Sequence, residues 1–168
     1  MKIYYREKSG GIEILRCFGI EGRVEIPGMI DGKLVISAAP YAFSSHMDEK
    51  EELKNASLWE VSEGLGFGRE EHVLAGNDVE EIVFPYTLKE IGRYIFYGCG
   101  NLKKLEFSDS LMQIGCGAFT GCHALEKLTV HMRQGKKSGV KEMLGEMWQR
   151  IDAVSYTHLR AHETLRHL

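Results

Sequence analysis

Histidines near the end of the chain have the spacing of a metal site. His158, His162 and His167 follow an H-x3-H-x4-H pattern, and the first two, four residues apart, would share one face of a helix as zinc ligands can. The other four histidines stand singly, with no motif that links them to a nucleophile or to a pair of carboxylates. The sequence therefore contains one metal-like pattern and no recognisable catalytic group.

Glycines and cysteines are the other residues that could do chemistry. The segment GLGFG, residues 64–68, is similar to a phosphate-binding glycine loop, but no apolar strand precedes it and no Gly-Lys-Ser/Thr follows. A plain loop is the better interpretation. None of the four cysteines belongs to a pair of C-x2-C motifs, so a structural zinc site is unsupported. We expect a protein that is not an enzyme and has no cofactor.

A 23-residue repeat in the second half of the chain must position any functional surface. Residues 79–101 (VEEIVFPYTLKEIGRYIFYGCGN) are the first copy, residues 102–124 (LKKLEFSDSLMQIGCGAFTGCHA) the second, and residues 125–131 (LEKLTVH) begin a third. Seven of the 23 aligned positions are identical in the first two copies. Apolar residues two apart at the start of each copy predict a short strand. A repeat of this length predicts a β-rich leucine-rich solenoid, in which each unit buries its apolar face against the next.

The motif IG-x3-F-x-GC occurs at residues 91–99 and again at residues 114–122. It resembles the repeat of the BspA-like class of bacterial leucine-rich repeat proteins. Residues 11–43 are similar to a degenerate first coil of such proteins, with about five extra residues around Gly28 to Gly32 and with Ala38 where isoleucine is expected. This resemblance implies a solenoid of short strands and one-turn helices that binds other proteins, and it implies no catalytic residue. Members of the class are mostly surface or secreted proteins.

Cys99 and Cys122 occupy equivalent positions in adjacent copies. Neighbouring coils lie about 4.8 Å apart, as paired strands do, which is within the Cα separation that a disulfide tolerates. Two reduced thiols packed in the core are the preferred interpretation, because cysteine packs as a small apolar residue and we expect a reducing compartment. A bridge between them remains the alternative.

Two segments outside the repeat predict helices. Residues 44–78 form an inserted segment, in which Leu53, Leu58, Trp59 and Val61 suggest one or two short helices. Residues 138–152 have apolar residues at helical spacing, which predicts an amphipathic helix that caps the open end of the solenoid. The members of this stripe are Val140, Met143, Leu144, Met147, Trp148 and Ile151.

The segment VSYTHLRAHET, residues 154–164, resembles the translation of a sequencing adapter. This resemblance implies that residues 153–168 are a non-native tail, and it removes the histidine pattern as a metal site. We expect the natural chain to continue past Asp152 in place of this tail.

Composition restricts the class of partner. A formal net charge of -3 argues against a nucleic-acid-binding protein, and no apolar run approaches the 18 or so residues of a membrane span. Charged residues near Met1 leave no room for a signal peptide, so we expect a cytoplasmic protein, or a cell-surface protein if the true start lies upstream. The oligomeric state stays open.

The exposed side of the stacked strands is the candidate protein-binding surface. Alternate strand positions should point outward, and tyrosines near the strands could supply contact area at low entropic cost. The candidate residues are Glu81, Val83, Lys104, Glu106, Lys127, Thr129, Tyr86, Tyr94 and Tyr97. A scaffold for protein-protein interaction, part of a longer bacterial protein, is the favoured function. The alternatives are a recognition or regulatory region of a multidomain enzyme and a surface adhesin.

Overall fold

Short strands build nearly all of the regular structure. The computed structural model describes residues 1–62, 70–133, 139–145 and 154–159. The first strands are β1 (Lys2–Lys8), β2 (Gly11–Gly19), β3 (Arg23–Glu25), β4 (Met29–Ile30), β5 (Lys33–Ala38), β6 (Ser57–Glu60) and β7 (His72–Val73). The later strands are β8 (Glu81–Val83), β9 (Glu90–Ile91), β10 (Lys104–Ser108), β11 (Gln113–Ile114), β12 (Lys127–Arg133) and β13 (Val154–Leu159). The helices are α1 (Glu49–Glu52), a 3-10 helix (Gly76–Asp78) and α2 (Val140–Leu144).

The repeat forms a β-solenoid, as the sequence predicts. Strands β3, β8, β10, β12 and β13 make one parallel sheet in the spatial order β13-β12-β10-β8-β3. Ile82, Leu105 and Leu128 lie directly opposite one another in this sheet and are fully buried. The 23-residue sequence offset is therefore one turn of the coil, and equivalent apolar side chains stack as ladders in the core.

The degenerate coil joins the same solenoid. Val24 pairs with Ile82, an offset of 58 residues, whereas Ala38 pairs with Ile91, an offset of 53 residues. The five extra residues thus lie between β3 and β5, as predicted. They form the hairpin of β4 and β5, which turns at Asp31 (φ 52°) and Gly32 (φ 73°). Two positive φ angles are the geometry of a tight two-residue hairpin turn.

The second sheet extends the solenoid toward the N-terminal hairpin. Its strands lie in the order β11-β9-β5-β2-β1-β6, and β7 pairs with the end of β2. Glu13 on β2 is buried and accepts hydrogen bonds from Ser37, Arg6 and Lys8. Burial acts to raise the pKa of Glu13, but the hydrogen bonds from Lys8, Arg6 and Ser37 outweigh it, so the pKa is lowered. This carboxylate ties β1, β2 and β5 together.

The inserted segment is less helical than predicted. Its α-helix, α1, has four residues and is capped by Asp48, whose side chain accepts from the backbone N–H of Glu51. Leu58 and Trp59, which we expected in a helix, lie in β6 and pair with β1 in antiparallel register. The free edge of β1 explains the difference, because a strand there satisfies backbone groups that a helix would leave unpaired.

The predicted capping helix is described in part. Val140 and Leu144 of α2 are buried and belong to the core, and Met143 packs against it. The helix ends at Gly145, which has a φ of 51°. Residues 146–152, with the rest of the predicted apolar stripe, lie outside the described residues. In the part of the chain that the structure describes, no helix is both long and apolar enough to cross a membrane.

Candidate protein-binding surfaces

The first outward row of the parallel sheet is charged and partly self-neutralised. Lys104 and Lys127 are exposed and lie side by side, and Glu81 is half-buried next to Lys104. Arg23 completes the row, with its Nε 3.5 Å from Oε1 of Glu81. Exposed ion pairs of this kind contribute about 0–1 kcal/mol. The row is a solvated surface and shows no sign of a specialised site.

The second outward row offers less contact surface than the sequence suggests. Val83 is only 8% exposed, so it contributes little to a partner contact; Thr129 is 6% exposed and lies opposite Ser155 of β13. Glu106 lies between them, with its Oε2 3.1 Å from Nε2 of His131. The ring of Tyr86 lies 5.2 Å from the ring of His131. Tyr86 therefore belongs to this side of the solenoid, in contact with a histidine.

The other two predicted tyrosines lie on a separate surface, which we call the turn edge: residues 39–46, 92–99 and 115–122, where each coil turns back toward its first strand. Tyr94 and Tyr97 meet edge to face at 5.8 Å. Tyr41 stacks on Tyr94 at 5.6 Å with an interplanar angle of 18°, and His46 lies 4.7 Å from Tyr97. These four residues, Tyr41, Tyr94, Tyr97 and His46, form the tyrosine cluster.

Tyr41 and Tyr94 adopt a backbone conformation that tyrosine rarely takes. Their φ angles are 59° and 51°, and the equivalent residue of the next copy is Gly117, with a φ of 66°. A Cβ at Gly117 would lie 2.2 Å from Cε1 of Tyr94, so the Tyr94 ring lies over this glycine. A left-handed conformation costs a residue with a side chain on the order of 1–3 kcal/mol. The second copy has glycine at the position where the two preceding coils carry tyrosine.

The sequence predicts Tyr94 and Tyr97 but not Tyr41 or His46. Tyr41 could have been found, because PYAF at residues 40–43 aligns with RYIF at residues 93–96. His46 could not, since its contact with Tyr97 depends on how the inserted segment leaves the turn.

Buried Arg16 holds the turn that carries Tyr41. Its Nη1 donates to the carbonyl oxygen atoms of Tyr41 at 3.2 Å and Ser44 at 2.6 Å, and its Nε donates to Oε1 of Glu49 at 3.1 Å. Burial lowers the pKa of Arg16, which the hydrogen bond to Glu49 opposes. The guanidinium thus links β2, the first turn and α1, and fixes the backbone beneath the tyrosine cluster.

Comparison with protein-family models identifies the repeat. The family described as "BspA type Leucine rich repeat region (6 copies)" matches residues 70–139. Residues 70–139 are therefore a BspA-type leucine-rich repeat region. Among solved structures, a crystal structure of a T. pallidum leucine-rich repeat protein is similar at 22% identity, covering 92% of this chain and 82% of that one, with a TM-score of 0.38. A search of curated proteins found no significant match.

Two of the three repeat cysteines, Cys99 and Cys122, are packed into the turn edge, whereas Cys116 is exposed. The thiol of Cys99 donates to the carbonyl oxygen of Phe43 at 3.1 Å, and that of Cys122 to Phe96 at 3.3 Å. Both are free cysteines, and burial raises the pKa of each to about 12. Burial also raises the pKa of Cys17 to about 12. Such thiols are protonated and poorly nucleophilic at neutral pH.

The sequence patterns that suggested ligands fall mainly outside the described residues. The glycine-rich segment, residues 64–68, lies there, as do His162 and His167, while His158 is on β13. Within the described ranges, no group of three or more histidine, cysteine, aspartate or glutamate side chains has the arrangement of a metal site.

Proposed function

We propose that this BspA-like protein is a non-enzymatic scaffold that binds another protein through the tyrosine cluster. The supporting observation is that two tyrosines hold a left-handed conformation at positions where the repeat accepts glycine. Strain of this kind persists where the surroundings enforce it, and it is concentrated at binding and switching sites. The fold does not require these two side chains, so a function is the simplest reason for their presence.

The chemistry of the tyrosine cluster suits a protein partner. Tyr94 and Tyr97 are half-buried, and their rings are held by each other and by Tyr41 and His46. Tyrosine and tryptophan are enriched among the residues that dominate protein interfaces, because a rigid ring offers contact area with little entropy to lose. By contrast, the charged rows of the parallel sheet pair mainly within the sheet.

A glycine variant tests this proposal without removing the fold. Tyr41→Gly/Tyr94→Gly gives both turns the residue that Gly117 already supplies. Affinity purification with the tagged full chain should recover a partner from cells with the wild-type protein and lose it with this variant. The matched control is Lys104→Ser/Lys127→Ser, which alters two exposed side chains on the parallel sheet. A partner retained by the glycine variant, or lost equally in the control, would contradict the proposal.

We also propose that residues 153–168 are foreign to the natural protein. The support is the resemblance of residues 154–164 to a translated adapter. Amplifying and sequencing the gene from genomic DNA tests this directly. Finding the same codons in the genome would overturn it.

A further inference from the structure

An open groove lies on the side of the solenoid where β8, β10 and β12 end, which we call the groove edge: residues 27–32, 85–89 and 108–112. Its cavity volume is about 670 Å³. This is within the roughly 300–1,000 Å³ that is typical of ligand pockets. The groove faces a different side of the coils from the tyrosine cluster, because the chain passes through β9 or β11 between the two edges.

Elements from both ends of the repeat line the groove. Leu34 and Ile36 of β5 line one end, beside the hairpin that the extra residues of the degenerate coil create. Met143 of α2 lines the other end. Between them lie the first and second copies, so the groove crosses four coils. Three coil spacings of about 4.8 Å give about 14 Å, the length of about four residues of extended chain at about 3.3 Å each.

The groove contains apolar side chains that are exposed and are not packed in the core. Met112 is 74% exposed and Leu34 is 39% exposed, although both line the groove. The residue equivalent to Met112 in the first copy is Lys89. A charged side chain is therefore acceptable to the fold at this position, and methionine there is a feature of the groove. Methionine suits an adaptable peptide-binding surface, since its side chain is flexible and polarisable.

The charge of the groove is opposite to that of the chain. Lys89 and Arg133 line it, and among the described lining residues the one carboxylate belongs to Asp109. That carboxylate is fully buried and accepts from the backbone N–H of Arg133 at 3.0 Å and from its Nε at 3.2 Å. Asp109 thus fixes the Arg133 guanidinium, and the Arg133 side chain as a whole remains 42% exposed. The described lining residues, with Lys89 and Arg133 against Asp109, carry a formal charge of +1 in a chain with a formal net charge of -3.

We propose that the groove binds a short, extended, acidic segment of a protein partner. In the bound state, a carboxylate of the partner segment lies between Lys89 and Arg133, and a neighbouring apolar side chain of that segment packs against Met112 and Leu34. This inference rests on the proposed scaffold function and adds a second contact surface to it. Arginine held by a buried carboxylate is pre-organised to make charge-assisted hydrogen bonds to a second carboxylate.

Labelled tetrapeptides with blocked ends test the proposal on the full chain by fluorescence polarisation. The peptides are Leu-Glu-Leu-Glu, Leu-Lys-Leu-Lys and Ser-Glu-Ser-Glu, and laurate serves as a competing small carboxylate. We expect the first to bind most tightly, by about tenfold or more over the other two. Lys89→Met, which installs the residue of the second copy, should weaken its binding about tenfold or more. Lys104→Met, the same change on the parallel sheet, should leave it unchanged.

Several results would overturn the groove proposal. The basic peptide could bind as tightly as the acidic one, Lys104→Met could weaken binding as much as Lys89→Met, or none of the peptides could bind. If laurate bound and none of the peptides did, the groove would be a site for a small amphipathic acid. The Tyr41→Gly/Tyr94→Gly variant must bind the acidic peptide as the wild type does. Loss of a cellular partner from that variant with intact peptide binding would concern the tyrosine cluster alone.

Discussion

The turn edge and the groove edge of the solenoid are built from the same repeat but differ in side-chain packing. Backbone hydrogen bonds join neighbouring coils at both edges: Tyr94 N–H donates to the carbonyl oxygen of Cys116 at the turn edge, and Met112 N–H donates to that of Lys89 at the groove edge. At the groove edge an extra hairpin and long polar side chains leave an open cavity. The difference shows which positions the fold dictates and which it leaves free to vary.

The glycines of the motif illustrate the first kind of position. A Cβ at Gly92 would lie 2.3 Å from the backbone nitrogen of Pro40, and one at Gly115 would lie 2.2 Å from that of Arg93. No side chain fits there. At the groove edge, by contrast, the repeat accepts either Lys89 or Met112 at one position. We infer that binding functions evolve at positions of this second kind.

The largest expected effect is a core deletion at the turn edge. The ring of Phe96 is fully buried and lies 6.1 Å from Phe43, 6.2 Å from Phe84 and 5.7 Å from Phe119. Phe96→Ala should lower the free energy of unfolding by about 3–5 kcal/mol. Met112→Ala, at the groove edge, should change it by less than about 0.5 kcal/mol. Urea denaturation measures both, and similar losses would remove the distinction between the edges.

The second expected effect is a loss of stability at alkaline pH, caused by two thiols at the turn edge. Burial raises the pKa of Cys99 and Cys122 from 9.0 to about 12, so both stay protonated in the fold while unfolded thiols ionise. Their contribution is complete below about pH 9 and is lost as the pH rises toward 12, by up to about 1.4 kcal/mol per pH unit for each thiol.

The thiol effect is isolated by comparing wild type with Cys99→Ala/Cys122→Ala. Their free energies of unfolding, measured at about pH 8 and about pH 10, should show a smaller decline in the variant, because its unfolded state has two fewer thiols to ionise. Equal declines would mean that neither thiol has a raised pKa in the folded protein.

A smaller loss is expected from a single added methyl group. Gly115→Ala should cost about 1–3 kcal/mol, since the methyl group meets the backbone of the preceding coil. Gly139, which lines the groove, is the matched control, because no heavy atom of the described residues would lie within 4 Å of a Cβ added there. Gly139→Ala should cost less than about 1 kcal/mol. Thermal melts of both variants measure the difference. A larger loss of stability in Gly139→Ala than in Gly115→Ala would contradict the distinction between the two edges.

Most of the solenoid could be predicted because its sequence repeats with a period of 23 residues, and each period is one coil. The register of Ile82, Leu105 and Leu128 follows directly from the 23-residue offset, and so does the close approach at Gly92 and Gly115. The strand that contains Trp59 could not be predicted in this way, because its partner β1 lies more than 50 residues earlier and leaves no local periodic signal.

The binding surfaces were harder to predict for a related reason. Alternation along a strand correctly separates inward from outward positions, but it does not reveal that Val83 and Thr129 are covered by their neighbours. The groove likewise depends on residues from β5, two copies and α2, which no single motif contains. The sequence feature that indicates the groove is a lysine, Lys89, in the first copy where the second copy has a methionine, Met112.

The central claim is that the contact residues are those the repeat does not require. Its most direct test is the free energy of unfolding of Tyr41→Gly/Tyr94→Gly. We predict a change smaller than about 1 kcal/mol, because glycine relieves the positive φ while the loss of the stacked rings removes a similar amount. A loss of more than about 3 kcal/mol, the scale of a core deletion, would show that the two rings are structural and would contradict the account.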